Sequence, residues 1–159
     1  MIEQVEQFLF IWSVANFVSL AFTFLCFKYP KTGRQVFGII FLLAGLINAT
    51  LAILKPSFYL EYGKFSFLSV YEEFIYGYFA RSITLFVLII AVCQLGIAGG
   101  MLGRGRFLVP AILGAMAFLL AIVPLGVGSG FPATLFLIIG LWPILQKESR
   151  WKTGAIREK

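Results

Sequence analysis

The feature that most constrains this chain is a long apolar run enclosed between two arginines, Arg81 and Arg106. About twenty apolar residues lie between them, with the amide side chain of Gln94 near the middle. A helix needs roughly 20 apolar residues to cross the hydrocarbon core of a bilayer. Four further apolar runs occur in a chain that is 60% hydrophobic and only 13% charged. Because a soluble domain needs more polar surface, the sequence predicts a small polytopic membrane protein.

The predicted fold class is an all-α membrane bundle of five transmembrane helices, forming one domain over residues 1–159. A four-helix core is preceded by an additional N-terminal helix. The predicted spans are residues 8–27, 36–54, 82–102, 107–125 and 132–145, with the glycine-rich residues 126–132 as a turn. Residues 55–80 hold five of the six tyrosines and three glutamates. They are too polar to span, so we expect an outer interfacial segment with a short surface helix that leads into span three.

The distribution of basic residues predicts the orientation. With the N-terminus outside and the C-terminus inside, ten of the thirteen basic residues lie on the cytoplasmic side: Lys28, Lys31, Arg34, Arg104, Arg106, Lys147, Arg150, Lys152, Arg157 and Lys159. Three lie outside: Lys55, Lys64 and Arg81. The opposite orientation would place ten outside, against the positive-inside rule. The acidic N-terminus lacks the basic region of a cleaved signal peptide, so we expect the first span to be retained.

Composition excludes several kinds of function. The chain has no histidine, which removes Ser-His and Cys-His catalytic pairs and most zinc or copper sites. The two cysteines, Cys26 and Cys93, are far apart in apolar runs and form no CxxC motif. We therefore predict no metal site and no catalytic residues. The net charge of +6 follows from the basic loops, so nucleic-acid binding is not expected.

Polar side chains at membrane depth are the candidate site, because each needs a partner away from water. Asn16 and Asn48 lie at similar depths, roughly 12 Å and 9 Å from the outer ends of their spans. The predicted ligand-binding residues are Asn16, Asn48, Glu73, Tyr78, Arg81 and Gln94, as an outward-facing polar pocket with aromatic walls. The alternative is structural. Buried asparagines hold membrane helices together, and an arginine at a helix end extends to the headgroups.

The third span also carries two GxxxG pairs, Gly96 with Gly100 and Gly99 with Gly103. Glycine lets another helix backbone approach closely. We expect these four glycines to be helix-packing residues that contact span two or span four, or else a partner chain.

Spans two to five resemble the DoxX-like family of small membrane proteins. The resemblance rests on FGIIFLLAGLINATLAILKP and CQLGIAGGMLGRGRFLVPAILGAMAFLLAIV, where Gln94-Leu95-Gly96, Gly100, Gly103 and Arg104 match an acidic-Leu-Gly motif, a glycine-rich stretch and a basic turn. Gln94 stands where the family has an acidic residue, so a proton- or redox-linked role does not transfer. The resemblance implies a four-helix core and association with a membrane redox complex, since the family includes subunits of quinone-reducing and oxidase systems.

Two functional hypotheses follow. The first is an accessory or assembly subunit of a membrane complex, quinone-linked on the family resemblance, with other membrane subunits or further copies of itself as partners in the bilayer. The alternative is a binder or carrier of a hydrophobic small molecule, a quinone or a lipid, with no other cofactor. A membrane enzyme that uses Glu72 and Glu73 ranks last, because adjacent glutamates point about 100° apart on a helix. The expected location is the plasma membrane of a prokaryote.

Overall fold

The computed structural model describes residues 2–103 and 105–157, and this part of the chain is helical with no strand. The α-helices are α1 (Ile2–Lys28), α2 (Pro30–Leu54), α3 (Ser69–Phe74), α4 (Ile83–Leu102), α5 (Leu108–Ile122) and α6 (Ala133–Arg157). Two 3₁₀ segments, Pro56–Phe65 and Val123–Ser129, and a π-helical turn, Ile75–Phe79, connect them. The polar C-terminal half of α6 therefore continues the helix well past the predicted end of span five.

Helices α2 and α4 pack as an antiparallel pair, and small residues of α2 line the interface between them. An added Cβ at Gly38 would lie 2.7 Å from the Leu102 side chain, and one at Gly45 would lie 3.1 Å from the backbone oxygen of Ala91. Ala52, seven residues after Gly45, is fully buried in the same interface. The seven-residue spacing places these small side chains on one face of α2, so the α4 backbone approaches closely.

Two further pairings complete the bundle. Helices α4 and α5 form the expected antiparallel hairpin, in which Gly100 faces Ala111 and Phe107 across the short loop. Helices α1 and α6 run parallel. Trp12 Nε1 donates to the carbonyl of Phe131, just before α6 (2.7 Å), and Thr23 Oγ1 donates to the carbonyl of Phe136 further along both helices (2.6 Å). The helix directions therefore alternate along the chain.

One end of the bundle carries the short connections. Tyr29 alone joins α1 to α2, and Pro30 is the first residue of α2. Arg34 Nη1 donates to the carbonyl of Gly103 (2.9 Å), which connects this junction to the α4–α5 loop. We call this the basic end. Arg104, Lys159 and the side chains of Arg150, Lys152 and Arg157, all counted in the predicted orientation, lie outside the described residues or side chains.

The opposite end is covered by residues 56–82, and we call it the capped end. The cap is hydrogen-bonded to the end of α5 and to the 3₁₀ segment that follows it. Phe67 N–H donates to the carbonyl of Pro124 (2.9 Å), and Tyr71 OH donates to the carbonyl of Ala121 (2.9 Å). Gly126 has φ +63, and an added Cβ there would clash with the backbone oxygen of Phe65. The predicted interfacial segment is thus a packed cap that combines 3₁₀, α and π turns.

Four helical stretches among the described residues are long and apolar enough to cross a membrane: Leu9–Lys28, Pro30–Leu54, Ile83–Leu102 and Leu108–Ser129. This finding indicates a multi-pass membrane protein. The apolar part of α6, residues 133–145, is shorter, and the helix continues through Pro143 without ending. Helix α2 begins before the predicted start of span two, and α6 extends beyond the predicted end of span five, because the polar flanks also adopt helical structure.

Candidate functional site

A polar layer crosses the middle of the α2–α4 interface. Asn48 Nδ2 donates to Gln94 Oε1 (2.8 Å), and the hydroxyl of Tyr59 donates to Asn48 Oδ1 (2.7 Å). Gln94 is only 3% exposed. Asn48 and Gln94, both predicted as ligand contacts, therefore bond to each other across the two helices, and Asn48 also bonds to the cap.

This polar layer lies between two apolar clusters. The larger cluster, toward the basic end, contains Phe37, Met101 and Ile112, and the smaller cluster, toward the capped end, contains Ala52, Phe79 and Val87. A hydrogen-bonded layer between apolar layers fixes the register of two helices, because a shift of either one leaves polar groups unpaired. The geometry thus agrees with the structural alternative for Asn48 and Gln94.

Tyr59 and its neighbour Tyr62 belong to the cap, outside the spanning helices. Their rings are stacked with centroids 6.1 Å apart. Burial raises the pKa of Tyr59, and the nearby phenol of Tyr62 raises it further. Burial alone raises the pKa of Tyr62. Both phenols therefore stay protonated at physiological pH, and Tyr59 remains a hydrogen-bond donor to Asn48.

Asn16 lies in a different interface from Asn48. Its Nδ2 donates to the carbonyl of Trp12 within the same helix (2.8 Å), and its buried Oδ1 has no partner among the described residues. Thr134 Oγ1, near the start of α6, is the other buried side-chain oxygen without a partner in the part of the chain that the structure describes. The structure therefore does not join Asn16 to the Asn48–Gln94 layer.

The helix breaks at Ser82, between the π-helical turn and α4. Ser82 adopts φ −149 and ψ 45, and its side chain makes no capping hydrogen bond to the first turn of α4. Thr84 Oγ1 donates to the carbonyl of Ala52 (3.0 Å), which holds the start of α4 against the end of α2. A shallow, open groove of about 620 Å³ lies at this break, lined by Pro56, Ala80, Arg81, Ser82, Ile83, Thr84, Leu85 and Leu88. We call this the Arg81 groove.

The Arg81 groove combines a cation with an apolar wall. The guanidinium of Arg81 lies 5.6 Å from the ring centroid of Tyr78, an attractive cation–π arrangement. Leu85 is 61% exposed and Leu88 continues the same face of α4 toward the bundle centre. Among the described side chains, Lys64 and Glu61 form the ion pair at this end, while Arg81 and Lys55 have no carboxylate partner. Glu73, another predicted site residue, is exposed in α3 and is not paired with Arg81.

The four predicted packing glycines fall in different surroundings. Gly100 faces α5 closely, and Gly103 lies at the end of α4 against its own helix. An added Cβ at Gly96 or Gly99 would meet no atom within 4 Å. The close approach between α2 and α4 instead uses Gly38 and Gly45. The seven-residue spacing of Gly38, Gly45 and Ala52 was visible in the sequence and is the signal for that interface.

Sequence reasoning missed two parts of this region. Tyr59 was one of many tyrosines in the cap, and no spacing rule relates a 3₁₀ residue to Asn48. The groove was missed because it lies at the break at Ser82, which no proline marks. No family model matches the chain, and no curated protein or solved structure matches it either.

Proposed function

We propose that this protein binds a hydrophobic small molecule, a quinone or a lipid, in the Arg81 groove. The observation that carries the proposal is the groove itself, about 620 Å³ in volume, with Arg81 and Ser82 at one end and Leu85 and Leu88 along its wall. An amphiphile needs this combination of a polar end and an apolar track. Gln94 and Asn48 were predicted as ligand contacts. In this proposal they do not contact the ligand, and their hydrogen bond holds α4 against α2.

The test fills the groove and measures ligand retention. Leu85→Trp places a large ring over the apolar wall, and Leu120→Trp, also 61% exposed but on α5, is the matched control. The full-length protein is purified from membranes, and retained lipids and quinones are measured by native mass spectrometry and extraction. We expect Leu85→Trp to lose the retained species and Leu120→Trp to keep it. Equal retention in both variants would contradict the proposal.

A membrane arrangement with five spans supports the outward position of the groove. Helix α6 runs parallel to α1 and packs against it through Gly140 and Thr23, so α6 crosses wherever α1 crosses. The charge count then places the basic end in the cytoplasm, with the N-terminus outside. A reporter enzyme fused to the C-terminus tests this arrangement in cells. Activity of that reporter on the outer face would overturn it.

The second candidate is an accessory subunit of a membrane complex in the plasma membrane of a prokaryote, as the DoxX-like resemblance implies. This candidate is favoured because polar side chains of the spanning helices bond to neighbouring helices or to the cap. Asn48, Gln94 and Thr23 make helix-to-helix or helix-to-cap hydrogen bonds. Gentle solubilisation and affinity purification of the tagged chain test it. A partner subunit in stoichiometric amount supports this candidate, and a pure chain from several mild detergents counts against it.

A further inference from the structure

Charge determines which class of amphiphile the Arg81 groove would take. Arg81 is at the polar end of the groove and has no carboxylate partner in the described part of the chain. Lys55, adjacent to the lining residue Pro56, is likewise unpaired. Lys64 at the same end is neutralised by Glu61. One unpaired cation, Arg81, therefore lines the groove, a second precedes the lining residue Pro56 in the chain, and the paired Lys64 lies outside the lining.

The apolar wall determines what is attached to the charged group. Leu85, Leu88 and Val92 lie three to four residues apart and share one face of α4. Leu85 and Val92 are well exposed, and no described residue covers them. At a rise of about 1.5 Å per residue, this face extends roughly 10 Å from the groove into the spanning part of the helix. An acyl chain can lie along it while its headgroup stays at Arg81.

Resting on the proposed function, we propose that the Arg81 groove is a site for an anionic phospholipid. Its phosphate accepts hydrogen bonds from the Arg81 guanidinium, whose planar donors match phosphate oxygens. Lys55 adds a second positive charge, and Leu85 and Leu88 contact one acyl chain. Tyr78 holds the guanidinium in place from its other side. A neutral quinone head would leave both cations without a counter-charge, so the groove discriminates by charge.

The test compares lipids that differ in net charge. Full-length protein in detergent is titrated with phosphatidylglycerol or with phosphatidylcholine of the same acyl chains, and bound lipid is counted by native mass spectrometry. We expect a preference for phosphatidylglycerol that Arg81→Gln weakens about tenfold, the effect of losing one charge-assisted contact. Lys64→Gln is the matched control, since it removes a cation at the same end outside the groove. Equal losses in Arg81→Gln and Lys64→Gln would overturn the inference, as would no preference in the unaltered protein.

Two additional measurements keep the outcome interpretable. Arg81→Lys keeps the charge without the planar donors, and we expect an intermediate preference; this variant replaces Arg81→Gln if that one fails to fold. Glycerol 3-phosphate tests whether the headgroup alone suffices, and its displacing the lipid at equal concentration would overturn a lipid site. If an uncharged quinone analogue binds and Leu85→Trp removes it while phosphatidylglycerol shows no preference, the inference fails and the proposed function stands. If neither class of amphiphile is retained, both fail.

Discussion

Polar side chains at two faces of α4 have opposite roles, since those inside the bundle are paired and the cation at its edge is not. Toward α2, small residues bring the backbones together, and the amide of Gln94 is bonded to Asn48, which is in turn bonded to Tyr59. On another face, which begins just before α4 and beside the end of α2, Arg81 and Leu85 line a groove that no described side chain fills. The buried polar groups hold the bundle together, and the unpaired cation at its edge is available to a ligand. Substitutions on the first face should therefore change stability, and substitutions on the second should change binding.

The largest effect on stability is expected from placing a large side chain in the close contact between α2 and α4. Gly45→Leu forces a side chain against the backbone oxygen of Ala91, which cannot move away, and overpacking of this kind costs about 3 kcal/mol. Gly96→Leu is the matched control, because its added side chain meets open space. Thermal unfolding in detergent, followed by circular dichroism, measures both. A similar loss for the two variants would show that α2 and α4 do not pack as described.

Removing the polar layer should have the next largest effect. Gln94→Leu leaves the Asn48 amide without its acceptor, and we expect a loss of about 1–2 kcal/mol. Phospholipid retention should stay unchanged, since Gln94 lies outside the groove lining. The double variant Asn48→Leu/Gln94→Leu should lose less than the sum of the single variants, because the two side chains are bonded to each other. If Gln94→Leu instead lost phospholipid retention with unchanged stability, Gln94 would be assigned to the binding site.

A smaller effect is expected from the hydroxyl of Tyr59. Tyr59→Phe removes its bond to Asn48 and should cost about 1 kcal/mol at neutral pH. Tyr78→Phe, at a side chain that is 73% exposed, should cost nothing measurable and serves as the control. Unfolding of both variants under identical detergent conditions measures the difference. Equal stability of the two variants would remove Tyr59 from the polar layer.

The same phenols predict a dependence on alkaline pH. Burial raises the pKa of Tyr59 and Tyr62 above the ordinary value of about 10, so the folded chain keeps protons that the unfolded chain loses. Their contribution to stability is complete below pH 10 and is lost as the pH rises through the folded-state pKa values. Unfolding temperatures at pH 8 and about pH 11 should therefore differ, and less so in Tyr59→Phe. An unchanged difference in that variant would contradict this assignment.

The smallest effects should separate two buried threonines, Thr23 of α1 and Thr134 of α6. Thr23→Val removes a hydrogen bond to the carbonyl of Phe136 and should cost about 0.6 kcal/mol, the average for such bonds in membranes. Thr134→Val replaces a buried hydroxyl that has no partner, so it should be neutral or slightly stabilising. Unfolding of the two isosteric variants in parallel measures the difference. A larger loss for Thr134→Val would reveal a partner for that hydroxyl.

The amino-acid sequence by itself determined the helical membrane class and the approximate spans. Apolar length and the clustering of basic residues are properties of the chain that lipid and water act on directly. The sequence also placed Asn16 and Asn48 at similar depths, since a helix converts residue number into height. Only the tertiary structure decided that Asn16 does not join the Asn48–Gln94 layer, that Tyr59 reaches Asn48, and that the α4 contact uses Gly38 and Gly45 rather than Gly96 and Gly99. Those outcomes depend on how each helix is rotated against its neighbours. The break at Ser82, beside which the Arg81 groove lies, likewise belongs to the tertiary structure, because the first turn of α4 after it is bonded to the end of α2.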